Sequence, residues 1–317
     1  DLGKALLRQA KSFAAGDGTI DFLPTTAGEG INYTVADYTA RIRSVSGSSA
    51  FSTATGFSFV KGTANGNDIF DFSNSNAGDG NGQLRQLECG NGNDTIGLHN
   101  VTGAQINLGV GENVVTLSGD SDVNLIETKG EGLHQTFNIG DDSSANLILA
   151  DDDQINITDE DAKANVWAGF GTHTIQNSGG NLMLFVDPRS TSVTINNTVD
   201  HDKMQYVEFD LLDYDHLLIG KNAASGDILL SETSAGNVLT GTSVTLKGQT
   251  DDTYVQCVLG SAPTNAGQGG SQQTYLQIDA LIQAMATMTP PAAATFHTNT
   301  GDMYQVSALM EMLTAAH

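Results

Sequence analysis

GNGNDTI (90–96), GVGENVV (109–115) and GFGTHTI (169–175) decide how this chain reads. Each runs Gly, any residue, Gly, two polar or small residues, and then the onset of a strand. GEGLHQTF (130–137) is a looser fourth copy. The copies start 19, 21 and 39 residues apart, and DQINIT (153–158) fills the slot that the long interval skips. Short apolar runs lie between them: QINLG (105–109), DVNLI (122–126), ANLIL (145–149), NVWAGF (165–170) and NLMLFV (181–186). The unit is therefore about 20 residues, with two short strands and two turns, repeated from about residue 62 to about residue 247.

A strand of five or six residues cannot bury its apolar face alone. Gly lets the chain reverse tightly, because φ > 0 brings no Cβ clash. If each coil stacks on the one before, every strand pairs with its equivalent one repeat later, giving a continuous parallel sheet over a thin apolar core. Composition agrees. Asn, which tolerates left-handed backbone and forms side-chain turns and ladders, occurs 24 times. The five prolines lie outside the clean repeat or at its edges, as a ladder that uses every backbone N–H requires. Aromatics are 6% of the 317 residues, as a narrow core predicts. The expected fold is all-β, a right-handed parallel β-solenoid.

Outside the repeat, residues 1–60 read as a cap. Leu2 to Ala15 has helical spacing, with Leu2, Leu6 and Phe13 near one face and Lys4, Arg8 and Lys11 as a basic stripe. Alternation around Ile31, Tyr33 and Val35, and at Phe57 and Phe59, predicts strands. The solenoid spans 61–260, a small-polar linker 261–274, and a helical segment 275–317. In that last segment Leu276, Leu281, Ile282 and Met285 recur at helical spacing, Pro290 and Pro291 stop the first helix, and a second is expected from Tyr304 to Leu313. With Asp1 in place of Met and no charged-then-apolar leader, a processed chain is expected.

Thirty-seven acids against 13 bases give a formal charge of −24, which disfavours nucleic acid and anionic membrane surfaces as partners. No apolar stretch reaches the ~18 residues of a membrane helix, so membrane insertion is not expected. Residues 120–215 hold 19 acids and 4 bases, in predicted turns such as Asp141-Asp142, Asp151-Asp152-Asp153 and Asp159-Glu160-Asp161. A solvated rim that blocks edge-to-edge aggregation and a loose capture of Ca²⁺ both fit this pattern. Cys89 and Cys257 permit one disulfide, with buried free thiols as the default expectation.

CGNGNDTIGL (89–98) resembles the calcium-binding nonapeptide of RTX (hemolysin-type) proteins through Gly90, Gly92, Asp94 and Ile96, with Cys89 in place of the first Gly. NGNDIF (65–70) resembles it through Gly66, Asp68 and Phe70. The resemblance covers about the middle half of the chain. It implies Ca²⁺ held between coils by turn carbonyls and carboxylates, here by Asp68, Gly90, Gly92 and Asp94. The Asp position becomes Asn113, His134 and His173 in later copies, which weakens the oxygen set a hard cation needs. The phrase IDALIQAMATMTPPAA, with no Lys or Arg after Lys247, looks like the tail of repeat proteins exported by type I secretion.

Enzyme signatures are sparse. His-Glu-x-x-His, Gly-x-Ser-x-Gly and the phosphate loop are absent. GDSD (119–122) and DYDH (213–216) resemble esterase boxes, yet period-2 strands surround both where that fold has helices. For a polysaccharide lyase on a β-helix, Arg189 is the one catalytic candidate. The leading expectation is a non-enzymatic, secreted protein of the bacterial cell surface that assembles with itself, as an S-layer, filament or adhesin component. A glycan-binding module facing cell-surface polysaccharide is the alternative, and the lyase a third.

Overall fold

The structure, a computed structural model, describes residues 19–21, 30–36, 39–44, 50–53, 57–73, 84–127, 134–150, 152–186, 191–197, 205–209, 217–221, 225, 227–234, 238–247, 255–259 and 303–305. All regular structure among them is β. Two compact units occur, Asp1–Ala164 and Asn165–His317. The first holds β1 (Thr19–Asp21), β2 (Ile31–Ala36), β3 (Thr39–Ser44), β4 (Ala50–Thr53), β5 (Phe59–Lys61), β6 (Ile69–Ser73) and β7 (Gln86–Glu88). It continues through β8 (Thr95–His99), β9 (Gln105–Asn107), β10 (Val114–Ser118), β11 (Asp122–Glu127), β12 (Thr136–Ile139), β13 (Ser144–Leu149) and β14 (Gln154–Ile157). β15 (Lys163–Ala168) crosses the boundary. The second unit holds β16 (Gly171–Asn177), β17 (Asn181–Val186), β18 (Thr191–Asn197), β19 (Gln205–Phe209), β20 (Leu217–Lys221), β21 (Ile228–Ser234), β22 (Val238–Lys247), β23 (Val255–Leu259) and β24 (Met303–Gln305).

In the first unit successive strands alternate between two parallel ladders. β1, β5, β7, β9, β11 and β13 pair in that order. β2, β6, β8, β10, β12 and β14 form the other ladder. Register places equivalent side chains in columns. Tyr33, Phe70, Ile96, Val115, Phe137 and Ile155 stack in register and are all fully buried. Two residues on, Val35, Phe72, Leu98, Leu117, Ile139 and Ile157 do the same. The side-chain period of 2 turns the residues between them outward, so a thin core lies between the ladders. This is a β-solenoid-like arrangement, as the repeat predicts.

Antiparallel strands flank the parallel ones. β2 also pairs with β3, and β3 with β4. In the second unit β16, β18 and β22 run parallel, as do β17, β19 and β23. There β22 continues antiparallel through β21, β20 and β24. Tyr304 and Gln305, expected to open a helix, lie instead in β24, where Tyr304 pairs with Ile219. The rest of that predicted helix, the helix at 275–288, the linker and the helix at 2–15 lie outside the described residues.

The Gly-x-Gly turn is where one coil touches the next through backbone alone. Gly92 and Gly111 have φ of 138° and 146°, a region L side chains rarely enter. A Cβ on Gly111 would collide with the carbonyl oxygen of Gly92, and one on Gly92 with that of Gly66. Replacing Gly111 by Ala adds both backbone strain and this clash. The G111A chain is expected to lose about 2 kcal/mol or more of stability, read as a lower urea midpoint; an unchanged midpoint would show that the turn relaxes freely.

Candidate functional site

Immediately before β6, β8, β10, β12 and β14 of the second ladder stands a buried polar residue: Asp68, Asp94, Asn113, Gln135 and Asp153, each at most 2% exposed. Their side-chain oxygens form a continuous line of acceptors. Asp68 Oδ1 takes the N–H of Ile31 at 2.8 Å, and Asp94 Oδ1 that of Asp68 at 2.7 Å. Asn113 Oδ1 then takes the N–H of Asp94 at 2.7 Å, Gln135 Oε1 that of Asn113 at 3.0 Å, and Asp153 Oδ1 that of Gln135 at 2.9 Å. The backbone carbonyls run in the opposite sense, accepting from the following coil: Asp68 O accepts from Thr95 N and Asp94 O from Val114 N, both at 2.9 Å. Where the turn ends and the strand begins, the sheet offers no carbonyl for one N–H, and a side chain from the next coil supplies the missing acceptor.

The line requires an oxygen and nothing more, so Asp, Asn and Gln serve alike. Their remaining atoms are handled differently. Asn113 Nδ2 donates to Leu108 O at 3.3 Å and Gln135 Nε2 to Gly111 O at 2.6 Å. Asp68 accepts three bonds, from Ile31 N, Thr63 N and Thr63 Oγ1. Asp94 Oδ2 is enclosed with no hydrogen-bond partner among the described residues. Burial, opposed by the bond from Asp68 N and helped by the neighbouring Asp68 charge, pushes the Asp94 carboxyl up to about 7. Burial also raises Asp68, against its three bonds. Cys89 is a free buried thiol, pushed up by burial and then by Asp94 and Asp68, so it stays neutral. The side chain of Cys257 lies outside the described residues.

Register revises the equivalences expected for the later copies. Thr136 pairs with Val114, so Gln135 and not His134 stands opposite Asn113. His134 is exposed, and its Nδ1 donates to Asp152 O at 2.9 Å. His173 is the third residue of β16, in register with Val193, and fully buried. Its Nε2 donates to Gly169 O at 3.1 Å. A second acceptor row, on the exposed side of the turn, was not expected. Asn67 Oδ1 takes Asn93 N at 2.8 Å, and Asn93 Oδ1 takes Glu112 N at 2.9 Å. At the opposite turn Asn100 and Asp141 adopt φ of 53° and 50° and accept from Asp120 N and Gly119 N. Asn or Asp one or two residues before β6, β8, β10 and β14 is the sequence signal that marks the rows at the Gly-x-Gly turn.

Calcium asks for six to eight oxygens at once. Of the four residues in question, Asp68 is saturated by donors and Asp94 lends Oδ1 to the ladder. Gly90 O accepts Val110 N at 3.3 Å, and Gly92 O lies against Gly111. No group of three or more His, Cys, Asp or Glu able to hold a metal occurs among the described residues. As arranged, the four residues form hydrogen-bonded stacking contacts. No protein-family model, curated protein or solved structure matches the chain.

Asp94 gives the fold a pH signature. The folded carboxyl holds its proton up to about pH 7, whereas an unfolded Asp releases it near 3.9. Between about pH 4 and 7 the folded state therefore binds more protons, so stability falls as pH rises and is level above 7. The expected amplitude is roughly 2–4 kcal/mol. Asp94→Asn keeps the acceptor and removes the titration. Urea melts at pH 5 and pH 8 should show that this variant loses the component and is more stable than wild type at pH 8; equal pH slopes for both chains would contradict the assignment. Asn113→Ala, which strands Asp94 N, should cost about 1–3 kcal/mol at either pH.

Proposed function

We propose that the chain is a structural protein that assembles with itself outside the cell, built on a right-handed β-solenoid with helical segments at its termini. Right-handed winding is what parallel crossovers almost always adopt. One observation carries the reading. In each unit one of the two parallel ladders ends on a strand that has a neighbour on one side only among the described residues: β1, next to β5 in the first unit, and β23, next to β19 in the second. Such edges present unpaired N–H and C=O groups and recruit a strand from another copy. Export by a type I route and a place on the bacterial surface rest on the RTX resemblance and the base-free tail, as an S-layer, filament or adhesin component.

Calcium enters this reading as a stabilising ion, since Asp68 and the Oδ1 atoms of Asp94 and Asp153 already accept from backbone N–H groups. Negative-stain microscopy and sedimentation of the purified chain, across a hundredfold concentration range and with either millimolar Ca²⁺ or EGTA, test the proposal. Polymers that grow with concentration in both buffers are expected. Polymers confined to Ca²⁺ would restore calcium to the assembly step, and a monodisperse monomer throughout would overturn self-assembly.

A further inference from the structure

The outward positions of β16, β18 and β22 form a regular array. Thr172, Ser192 and Ser243 are in register across the three strands, and so are Thr174, Thr194 and Thr245. None of the six is buried. The side chains between them point inward: His173, Val193 and Val244 are fully buried. Each strand thus displays Thr or Ser, then Thr, two residues apart on one face. A third rank, Gln176, Asn196 and Lys247, is also in register and brings the single charge.

The first unit shows a looser, mostly neutral version of this face. From β8 onward its corresponding face carries Thr95, Val114, Thr136 and Gln154 in one row, and Gly97, Thr116, Asn138 and Asn156 in the next. No acid stands on the array of the second unit, and in the first unit none stands on the two rows from β8 onward, which Asp71 of β6 borders in register with Gly97. The acids gather in turns such as Asp120, Asp141-Asp142 and Asp159 to Asp161.

Neutral faces on a polyanion select a neutral partner, and a two-dimensional repeat selects a partner with a repeat of its own. Neighbouring strands are about 4.7–4.9 Å apart, and alternate residues along a strand about 6.6–6.8 Å. Water oxygens joined by hydrogen bonds of about 2.75 Å in a tetrahedral network have second neighbours at about 4.5 Å and an axial repeat of about 7.3 Å. Over three strands and two ranks the mismatch stays under about 1 Å. Thr adds a methyl group beside each hydroxyl, so the face orders water without dissolving the lattice into individual hydration shells.

We propose that the Thr/Ser face of β16, β18 and β22 binds ice. The interaction needs no ion and no second copy, so it is independent of whether the chain polymerises. The full chain is assayed for inhibition of ice recrystallisation and for thermal hysteresis, beside two variants. Thr194→Tyr puts a bulky, strand-compatible side chain at the centre of the array. Met183→Lys alters the exposed side of β17, which belongs to the other ladder of this unit. Wild type and Met183→Lys should inhibit recrystallisation at the same concentration. Thr194→Tyr should need at least tenfold more protein while keeping the wild-type melting temperature. Absence of both activities in wild type overturns the proposal, as does loss in Met183→Lys but not in Thr194→Tyr. Adsorption to crystalline cellulose or chitin without ice activity would assign the face to polysaccharide and equally overturn it.

Discussion

At the entry to β2, β6, β8, β10 and β12 of the second ladder, one backbone N–H points along the stack to a place where the sheet has no carbonyl to offer. The first unit is organised around meeting that demand. An unmet, buried N–H costs about 1–3 kcal/mol, and with a coil every 18 to 26 residues from Asp68 onward the omission would recur at each turn. Borrowing an acceptor from the next coil solves the problem once per repeat. It also fixes register, because the donor and its acceptor sit at the same place in successive coils. A slip by one residue would break the bond and reverse the buried and exposed faces of the strand together.

The glycines serve the same geometry. For a side chain of one coil to reach the backbone of its neighbour, the turns must lie flat on one another. Gly92 and Gly111 make that possible by removing the atoms that would hold the backbones apart. Gly92 N then donates to Val110 O at 2.8 Å. Turn and ladder are therefore one device: the Gly-x-Gly step brings the coils together, and the polar residue two positions later closes the last open donor.

The sequence made the architecture legible because the repeat acts at every level. A period of about 20 residues, alternation within each strand and glycine pairs at fixed places all point to parallel stacking. The role of the aspartate was less legible. Asp94 looks the same in sequence whether its carboxylate faces a cation outside the turn or a backbone N–H inside it. Only side-chain direction separates the two, and direction depends on the neighbouring coil. The equivalences of His134 and His173 failed for a related reason. Aligning copies on Gly-x-Gly assumes equal turn lengths, whereas pairing Thr136 with Val114 admits 22 residues between Asn113 and Gln135 where 19 separate Asp94 from Asn113. Cross-strand pairing sets register, and the turns absorb the difference.

The order of residues along the ladder follows from charge. Any of Asp, Asn and Gln provides the oxygen, but a carboxylate also brings a charge into the core. Two ionised carboxylates one strand apart, about 4.8 Å, repel by roughly 3 kcal/mol at an effective dielectric constant near 20. Asp68 meets three donors and is suited to carrying its charge. Asp94 meets one donor for two oxygens and is suited to holding a proton. The next two places are amides, which separate Asp153 from this pair and turn their own N–H groups into the turn carbonyls beneath them. Asn and Gln along the row keep the acceptor and leave out the charge. The result is the arrangement in which five acceptors line up with two carboxylates adjacent and the fifth position kept apart.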